Sequence, residues 1–270
     1  MTVEEYYTDG YSIRQIAQIT HISRRTISKM LKEKGISIRQ TDITSRRYTC
    51  NESYFHTIDT EEKAYWLGFI AADGFIEAKR KCGNQKFGVT LSDRDKSHLE
   101  KLNKALDSTY PIKEYTGSGY NKNGKFVRLL ITSQTLVDDL KKHGIVEQKT
   151  NILKFPTHIP QKLYKHFIRG YLDGDGSISC FEKTDGYWAY QVSFNGTYDM
   201  LSTIQTILGI KNKVSFVRND IYELKANGTN KPLFVLTQLY DNATIYLERK
   251  HRRYNDLKEY VERRGKNGRR

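Results

Sequence analysis

Residues 64–76 read AYWLGFIAADGFI, and residues 167–178 read FIRGYLDGDGSI. Each stretch has the apolar character of a buried helix, carries a glycine near its middle and contains an Asp-Gly pair where the helix pattern ends. When the two stretches are superimposed at an offset of 102 residues, the central glycines and the Asp-Gly pairs coincide. An internal repeat with a long period determines the architecture of a chain. The sequence therefore predicts two structural repeats, each led by one of these helices.

Small residues recur at a spacing of four in both predicted helices. Gly68 and Ala72 lie on one face of the first helix, and Gly170 and Gly174 lie on one face of the second. Small residues at this spacing allow two helix backbones to approach closely. The sequence has no apolar run long enough to span a membrane, so we expect the two helices to pack against each other inside a folded protein.

The two Asp-Gly pairs predict a site for a cation. If the helices pack side by side, Asp73 and Asp175 meet at the C-terminal ends, where the carboxylates repel each other and each helix dipole disfavours its own anion. A hard cation such as Mg²⁺ relieves both effects and needs only one or two carboxylates. A metal held in this way suits phosphodiester hydrolysis. The alternative is that each Asp-Gly pair only ends a helix, which explains one copy better than two copies at a domain-sized spacing.

The two stretches also carry a family resemblance. Residues 66–74, WLGFIAADG, and residues 168–176, IRGYLDGDG, resemble the paired motifs of the LAGLIDADG homing endonucleases, which are associated with introns and other mobile elements. The first copy has Ala71 at the earlier aspartate of the motif. The later aspartate, which is the catalytic acid in the family, is present in both copies. The resemblance implies a single-chain, site-specific endonuclease that cuts both DNA strands across the minor groove and leaves staggered ends.

The resemblance also implies a cofactor and its ligands. Mg²⁺ or Mn²⁺ would be held by Asp73 and Asp175, with help from the backbone carbonyls of Ala72 and Gly174. These four residues form the metal site that we predict from the motifs.

A second recurrence adds two lysines to this predicted site. Lys149 follows Asp73 by 76 residues, and Lys250 follows Asp175 by 75 residues. In the family, basic residues after the closing helix of each repeat lie near the metal and its waters. By resemblance, the two lysines would stabilise charge on the scissile phosphate or orient the attacking water. A lysine in an ordinary basic loop is equally compatible with this pattern.

The composition indicates the kind of partner. The chain has 270 residues and a formal net charge of +14, which favours a polyanion without giving a sequence preference. Its three cysteines are scattered and form neither a zinc pattern nor a disulfide framework. The N-terminal residues lack the pattern of a signal peptide. We therefore expect an intracellular protein, cytoplasmic in a bacterial or phage setting and organellar in a eukaryote.

Residues 1–47 form a predicted helical unit of their own. Apolar residues follow helical spacing in residues 12–20, and Ser23 can cap a second helix that runs to about residue 34. The pair resembles a helix-turn-helix, although His21 stands where the turn usually carries glycine. The alternative is a plain helical hairpin. In the DNA-binding interpretation, the second helix enters the major groove with four residues outward: Arg24, Arg25, Ser28 and Lys29.

The remaining sequence indicates an α+β fold. Each repeat shows the order αββαββα, over residues 60–150 in the first repeat and residues 161–270 in the second, which ends in a basic tail. Residues 48–59 and 151–160 are interpreted as linkers. Two pseudo-symmetric antiparallel sheets, each with one free face, would together form a saddle that binds DNA.

Three element boundaries in this prediction depend on short patterns. Residues 75–79 alternate apolar and polar side chains like a first strand, and residues 233–237 are interpreted as the last strand of the second repeat. The closing helix of the second repeat is then expected to start within residues 243–248.

Polar side chains on the free faces of the strands would contact base edges in the major groove. Each of them is equally well explained as a solvated surface group. The candidates are Lys79, Lys86, Lys113, Lys125, Arg128, Tyr187, Gln191, Ser193, Lys213, Arg218 and Lys225.

Two other functions remain open at this level. A DNA-binding regulator that lost catalysis would suit the N-terminal helical unit, although such descendants usually lose the acidic positions. An RNA-splicing maturase would use the same basic saddle for folded intron RNA. For each of these functions, the presence of both motifs in one chain predicts a monomer. We expect no membrane partner.

Overall fold

The structure is a computed structural model, which describes residues 1–39, 48–79, 83–117, 123–183 and 187–267, without the side chains of residues 265–267. It divides into two compact units, Met1–Thr49 and Cys50–Arg270. Residues 40–47 of the predicted N-terminal unit and residues 268–270 of the predicted basic tail lie outside the described residues.

The described part of the N-terminal unit contains three helices: α1 (Val3–Thr8), α2 (Ile13–Thr20) and α3 (Arg24–Glu33). Each helix is capped by a hydroxyl side chain that accepts a hydrogen bond from a backbone N–H of the first turn. The capping residues are Thr2, Ser12 and Ser23. The sequence pattern predicted α2 and α3 but missed α1, which has only six residues. The core of the unit consists of six buried side chains: Val3, Tyr7, Ile13, Ile16, Ile27 and Leu31.

The first repeat of the larger unit has the predicted order αββαββα. Its helices are α4 (Glu61–Asp73), α5 (Lys96–Ala105) and α6 (Gln134–Lys142), and its strands are β1 (Gly74–Ile76), β2 (Lys86–Ser92), β3 (Lys113–Thr116) and β4 (Lys125–Thr132). The strands form an antiparallel sheet in the order β1-β2-β4-β3. Every second residue of β4 from Val127 to Ile131 is buried, because one face of the sheet packs against the helices.

The second repeat follows the same plan. Its helices are α7 (Tyr164–Asp175), α8 (Tyr198–Leu208), α9 (Asn230–Tyr240) and α10 (Glu248–Asn267), and its strands are β5 (Ser177–Glu182), β6 (Trp188–Gly196), β7 (Ser215–Arg218) and β8 (Ile221–Gly228). These strands form a second antiparallel sheet in the order β5-β6-β8-β7. The α+β class and the two antiparallel sheets are confirmed.

Two of the predicted boundaries in the repeats are wrong. Residues 233–237 lie in α9 and not in a strand, because Val235, Leu236 and Leu239 are buried at helical spacing. The short apolar run was too brief to distinguish the two periods. Helix α9 is therefore the closing helix of the second repeat, and α10 is an addition that begins only at Glu248.

The first strand is also shorter than predicted. Strand β1 ends at Ile76, because its pairing with β2 stops opposite Phe87. Lys79, a predicted DNA contact, therefore lies beyond the strand and is exposed.

Helices α4 and α7 pack backbone to backbone. A Cβ atom built on Gly68 would lie 2.0 Å from the carbonyl oxygen of Phe167, and one built on Gly170 would lie 2.0 Å from that of Tyr65. Contact this close excludes any side chain at either glycine. Every residue of α4 from Ala64 to Ala72 is buried, although none of the described helices is both long and apolar enough to cross a membrane.

Candidate active site at the ends of the paired helices

The close packing of α4 and α7 brings the two motif aspartates to the same end of the helix pair. Asp73 and Asp175 are the last residues of their helices, and a strand begins at Gly74 in the first repeat and at Ser177 in the second. Gly74 and Gly176 have φ values of −77° and −81°, so neither is a left-handed helix cap. The Asp-Gly pairs do end both helices, but through an extended glycine that leads toward the next strand and not through a left-handed cap.

The glycine of each Asp-Gly pair is needed for a tight turn from helix to strand. A Cβ atom built on Gly74 would lie 2.6 Å from the carbonyl oxygen of Ile70, and one on Gly176 would lie 2.7 Å from that of Leu172. The strand therefore folds back directly over the last turn of its helix. This geometry holds the aspartate just before the glycine at the edge of the sheet.

The two carboxylates sit in an environment that disfavours their charge. Burial raises the pKa of the Asp73 carboxyl to about 6, and the nearby Asp175 carboxylate adds to the rise. Loss of hydration at the helix ends also raises the pKa of Asp175, although this residue is exposed at the protein surface. The ammonium groups of Lys149 and Lys250 lower both pKa values. The site is therefore short of positive charge.

Lys250 closes the C-terminal end of α7. Its ammonium group donates to the carbonyl oxygens of Leu172 at 2.5 Å, Asp173 at 2.8 Å, Gly174 at 3.3 Å and Gly176 at 2.6 Å. The last carbonyls of a helix have no partner within the helix and carry the negative end of its dipole. A buried ammonium group satisfies both requirements at once.

Lys149 has the corresponding position at α4. It lies in a short 3₁₀ turn, Lys149–Asn151, and donates from Nζ to the carbonyl oxygen of Ala72 at 3.0 Å. Burial lowers the pKa of Lys149, and the carboxylates of Asp175 and Asp73 oppose this effect. Burial likewise lowers the pKa of Lys250, to about 8. Each repeat thus places one buried lysine beside the carboxylate pair.

These contacts involve both backbone carbonyls of the predicted metal site. The oxygens of Ala72 and Gly174 each accept a hydrogen bond from a lysine in the structure. A carbonyl oxygen has two lone pairs, so one remains available on each. The metal-binding roles of the two carbonyls remain predictions.

A buried carboxylate beside the site was missed by the sequence analysis. Asp173 is fully buried and accepts hydrogen bonds from the hydroxyls of Tyr65 at 2.7 Å and Tyr240 at 2.5 Å, and from the backbone N–H of Leu247 at 2.7 Å. It therefore joins α4, α9 and the turn before α10, which carries Lys250. The sequence signal that could have identified it is that the second motif has Asp173 where the first motif has Ala71.

A buried arginine was missed as well. Arg169 donates to the carbonyl oxygens of Ile245 at 2.8 Å and Leu239 at 2.9 Å, and to the carboxylate of Glu61 at 2.7 Å. Because Glu61 belongs to the first turn of α4, this ion pair connects the two motif helices at the end opposite the aspartates. An arginine in the middle of an apolar helix was the signal for such a partner.

The donor set can hold a hard cation without further protein ligands. Within the described ranges, no group of three or more His, Cys, Asp or Glu side chains could bind a metal ion. Asp73 and Asp175 provide only two carboxylates, whose raised pKa values show that a positive charge would stabilise them. Mg²⁺ fits this pair, since it keeps several waters and is often shared between one or two carboxylates and substrate phosphates.

The raised pKa of Asp73 predicts a pH-dependent stability in metal-free protein. Between pH 3.8 and about 6 the folded state binds a proton that the unfolded chain has released, so stability falls as pH rises through this window. We expect Asp73→Asn to raise the free energy of unfolding by about 3 kcal/mol at pH 8 and to change it little at pH 3.5. Urea unfolding in EDTA measures both values. An equal effect at the two pH values would show that charge is not the cause.

Residues 60–143 match the protein-family profile of the LAGLIDADG-like domain. A search of curated protein sequences gives no significant match.

The structure of the larger unit has the LAGLIDADG meganuclease fold. I-SmaMI, bound to uncleaved DNA in the presence of calcium ions, superimposes with a TM-score of 0.51 at 16% identity, over 78% of this chain and 93% of that one. I-LtrWI bound to its target DNA gives 0.50 at 12% identity, over 80% and 92% of the two chains. I-GzeII in complex with its DNA target gives 0.50 at 14%, over 74% and 88%. These similarities establish the fold.

Strand pairing in the first sheet determines which candidate DNA contacts lie on its open face. The helix face contains Val89 and Leu129, which are paired and buried. Side chains alternate between the two faces along a strand, so Lys86, Lys113 and Arg128 lie on the open face and remain candidate DNA contacts.

One candidate of the first sheet is on the wrong face. Lys125 has the same parity as the buried Val127 in β4, and therefore projects from the helix face at the end of the strand. We had predicted it on the open face. A shift of one residue in a strand moves a side chain to the opposite face, and the sequence pattern alone could not fix this register.

The second sheet is assigned in the same way. Val192 and Leu224 belong to the buried helix face, which places Gln191, Ser193 and Lys225 on the open face. Ser193 is only 4% exposed, so it offers little surface for a base contact.

The three other candidates of the second repeat lie at strand ends. Tyr187 precedes β6 and lies beneath the guanidinium of Arg264, 4.5 Å from the ring centroid. Lys213 precedes β7, and Arg218 ends it at an irregularity of the pairing. All three side chains are exposed.

The N-terminal unit presents its predicted contact residues at the start of α3. Arg24, Arg25 and Lys29 are exposed, and Ser28 is half-buried. His21 has φ = 57°, the left-handed conformation that favours glycine. The turn therefore has the backbone that a helix-turn-helix glycine usually provides, although a histidine occupies the position.

Proposed function

We propose that the protein is a site-specific double-strand DNA endonuclease. The observation that carries the proposal is the meeting of Asp73 and Asp175, one from each repeat, at the ends of two helices in backbone contact. Their unfavourable charge is only partly offset by two buried lysines. A centre of this kind is suited to hold divalent cations against the phosphates of DNA.

The aspartates and the lysines of the site have different proposed roles. Asp73 and Asp175 would hold Mg²⁺ or Mn²⁺, which when bound supplies positive charge to the scissile phosphate and activates water for hydrolysis. Lys149 and Lys250 hold their ammonium groups rigidly by donating to backbone carbonyls. Charges that are fixed before the substrate arrives stabilise developing negative charge without the cost of reorganisation.

The fold supports DNA as the substrate. I-SmaMI and I-LtrWI were both observed with DNA, and they share this fold with the protein. The open faces of the two sheets would lie over the duplex, with their basic side chains near the phosphates and base edges. Because both motifs belong to one chain, we propose that a monomer forms the complete site. Folded intron RNA is the second partner to test.

The proposal is tested by asking whether the purified protein cuts duplex DNA at one sequence, and only when Mg²⁺ is present. Sequence-selective binding without cleavage would indicate a regulator. Tight binding to intron RNA in preference to duplex DNA would indicate a maturase. Either result would refute the endonuclease proposal and indicate another function of the same fold.

We also propose that the N-terminal unit reads additional DNA. Its exposed Arg24 and Arg25 occupy the first turn of α3, where a recognition helix makes its base contacts. Replacing both arginines with alanine, or deleting residues 1–47, is expected to weaken binding to the specific site by about tenfold or more, because a second binding module raises overall affinity. Cleavage should remain measurable at higher protein concentration.

A DNA titration of the full-length and altered proteins measures this effect. Lys32→Ala together with Lys34→Ala removes the same charge from the far end of α3 and serves as the control. Unchanged affinity after loss of both arginines would show that the unit does not read DNA.

A further inference from the structure

An arginine at the middle of the first sheet is held in a fixed orientation on the open face. Arg128 donates from Nε to the hydroxyl oxygen of Thr90, directly opposite on β2, at 2.8 Å. Its guanidinium carbon lies 4.9 Å from the ring centroid of Tyr115 and 5.5 Å from that of Phe75. Stacking on aromatic rings and one hydrogen bond to Nε together restrict an otherwise flexible side chain.

The aromatic support depends on a glycine in the neighbouring strand. A Cβ atom built on Gly88 would lie 2.5 Å from the ring of Phe75. The absence of a side chain at Gly88 therefore lets the ring lie across β2. Phe75 itself follows Asp73 by two residues, so this arrangement lies on the part of the sheet that starts at the active site.

Among the residues that the structure describes, Thr90 is the hydrogen-bond partner of the Arg128 side chain, and this contact leaves the outer edge of the guanidinium open to a ligand. With Nε engaged, the two terminal nitrogens form a planar pair of donors that faces away from Thr90. A planar pair of N–H donors matches the O6 and N7 acceptors of guanine in the major groove. A phosphate contact carries no sequence information and does not require so fixed a donor.

The second sheet differs at the corresponding position. In the first sheet Val89 pairs with Leu129, and in the second Phe194 pairs with Leu224, all on the buried face. One step further along each ladder, Thr90 faces Arg128, whereas Asn195 faces Glu223.

The pairing of the first strand of each sheet gives the same alignment. Phe75 is opposite Gly88, and Ser177, which follows Phe75 by the motif offset of 102 residues, is opposite Ser193. Gly88 therefore corresponds to Ser193, and Val89 corresponds to Phe194. The pseudo-symmetric counterpart of an arginine is therefore a glutamate.

The chemistry of the two positions is opposite. Glu223 is paired with Lys225 at 2.6 Å on the same open face. A carboxylate accepts hydrogen bonds and repels phosphate, so it cannot replace the arginine in contacting guanine. The two sheets therefore cannot read the same sequence at this position.

We propose that Arg128 selects a guanine in the half of the target beneath the first sheet, and that the Arg128–Glu223 difference makes the target non-palindromic at that position. This inference rests on the proposed binding of duplex DNA by the sheets, but not on cleavage. Because Phe75 and Arg128 lie near the end of α4, the guanine is in the part of the half-site closest to the cleaved bonds.

The test is selection of bound sequences from a randomised duplex library in EDTA, so that binding is measured without cleavage. Four full-length proteins are compared: the unaltered protein, Arg128→Ala, Thr90→Val and Lys113→Ala. Lys113 is directly opposite Arg128 on β3 and also faces outward, so its loss removes the same charge from the same face. Thr90→Val keeps the arginine and its charge but removes the acceptor for Nε.

The expected result is one inner guanine in one half-site, not mirrored in the other half. Arg128→Ala should reduce the preference for that guanine by about tenfold or more, without changing preferences elsewhere. Thr90→Val should reduce the same preference to a smaller extent, and Lys113→Ala should weaken binding about equally for all sequences.

Three results would overturn the inference. These are a guanine preference that survives Arg128→Ala, a loss spread evenly over the site, and a selected sequence that is symmetric at this position. Loss of the guanine preference in Arg128→Ala would confirm the inference even for a protein that does not cut DNA, a result that would refute only the endonuclease proposal. Thermal unfolding of each variant confirms that the proteins compared are folded.

Discussion

Replacing Asp175 with asparagine is expected to reduce double-strand cleavage by about a thousandfold or more while leaving DNA binding intact. Asparagine keeps the size of the side chain but removes the charge that would hold the cation. Loss of metal-based charge stabilisation costs several kcal/mol in the transition state, and each 1.36 kcal/mol corresponds to a factor of ten in rate. Binding should stay the same or become tighter, because the aspartate pair no longer repels the DNA phosphates.

The measurement is cleavage of the target duplex under single-turnover conditions with Mg²⁺, with a gel-shift titration of the same variants. Asp73→Asn is expected to behave like Asp175→Asn, because each repeat supplies one carboxylate to a shared centre. Asp199→Asn serves as the control, since its carboxylate is 63% exposed, lies at the start of α8 and belongs to neither motif helix. Full cleavage by Asp175→Asn would refute the assignment of the active site.

Replacing Gly170 with alanine is expected to lower the free energy of unfolding by about 3 kcal/mol or more. The new Cβ atom would lie 2.0 Å from the backbone oxygen of Tyr65, and backbone cannot move aside as a side chain does. Overpacking of a core typically costs 1–3 kcal/mol, and here it also forces apart the two helices that position the aspartates. The higher helix propensity of alanine recovers only about 1 kcal/mol.

A matched pair of variants separates this clash from other effects of alanine. A Cβ atom on Gly174 would lie 2.3 Å from Cβ of Ala72, which is a side-chain atom that can be removed. Gly174→Ala alone should therefore be destabilising, and adding Ala72→Gly should restore much of the loss. Urea unfolding of the single and double variants measures the coupling. If the effects of Gly174→Ala and Ala72→Gly on the free energy of unfolding were simply additive, or if Gly170→Ala were as stable as the unaltered protein, the proposed close packing of the two helices would be contradicted.

The architecture could be predicted from the sequence because it depends on local patterns that occur twice. Gly68 and Gly170 identify the contact between the motif helices, since only a glycine permits such close approach. The capping residue Ser23 and the alternation in β4 likewise act within a few residues. Patterns of this kind are visible without knowledge of the fold.

The errors arose where a local pattern was compatible with two structures. Residues 233–237 are apolar enough for a strand, and their helical burial depends on the elements that pack against α9. Lys125 was placed on the wrong face because the register of β4 is fixed by its partners β2 and β3. Tertiary contacts decided both cases.

The candidate site was predictable only in part for a similar reason. The two motif aspartates and their lysines recur at matching intervals, which made them detectable. Asp173 and Arg169 act through partners about 70 or more residues away, such as Leu247 and Ile245. Such contacts leave no periodic signal in the sequence. The fixed orientation of Arg128 likewise became apparent only from the structure.

The most direct test of the central claim is digestion of a randomised duplex library with the purified protein, in Mg²⁺ and in EDTA, followed by sequencing of the new ends. The proposed two-carboxylate centre predicts staggered breaks in both strands at one long, shared sequence, and their disappearance in EDTA. Selective retention of one sequence without any breaks in Mg²⁺ would contradict the endonuclease function and leave a DNA-binding protein with an inactive aspartate pair.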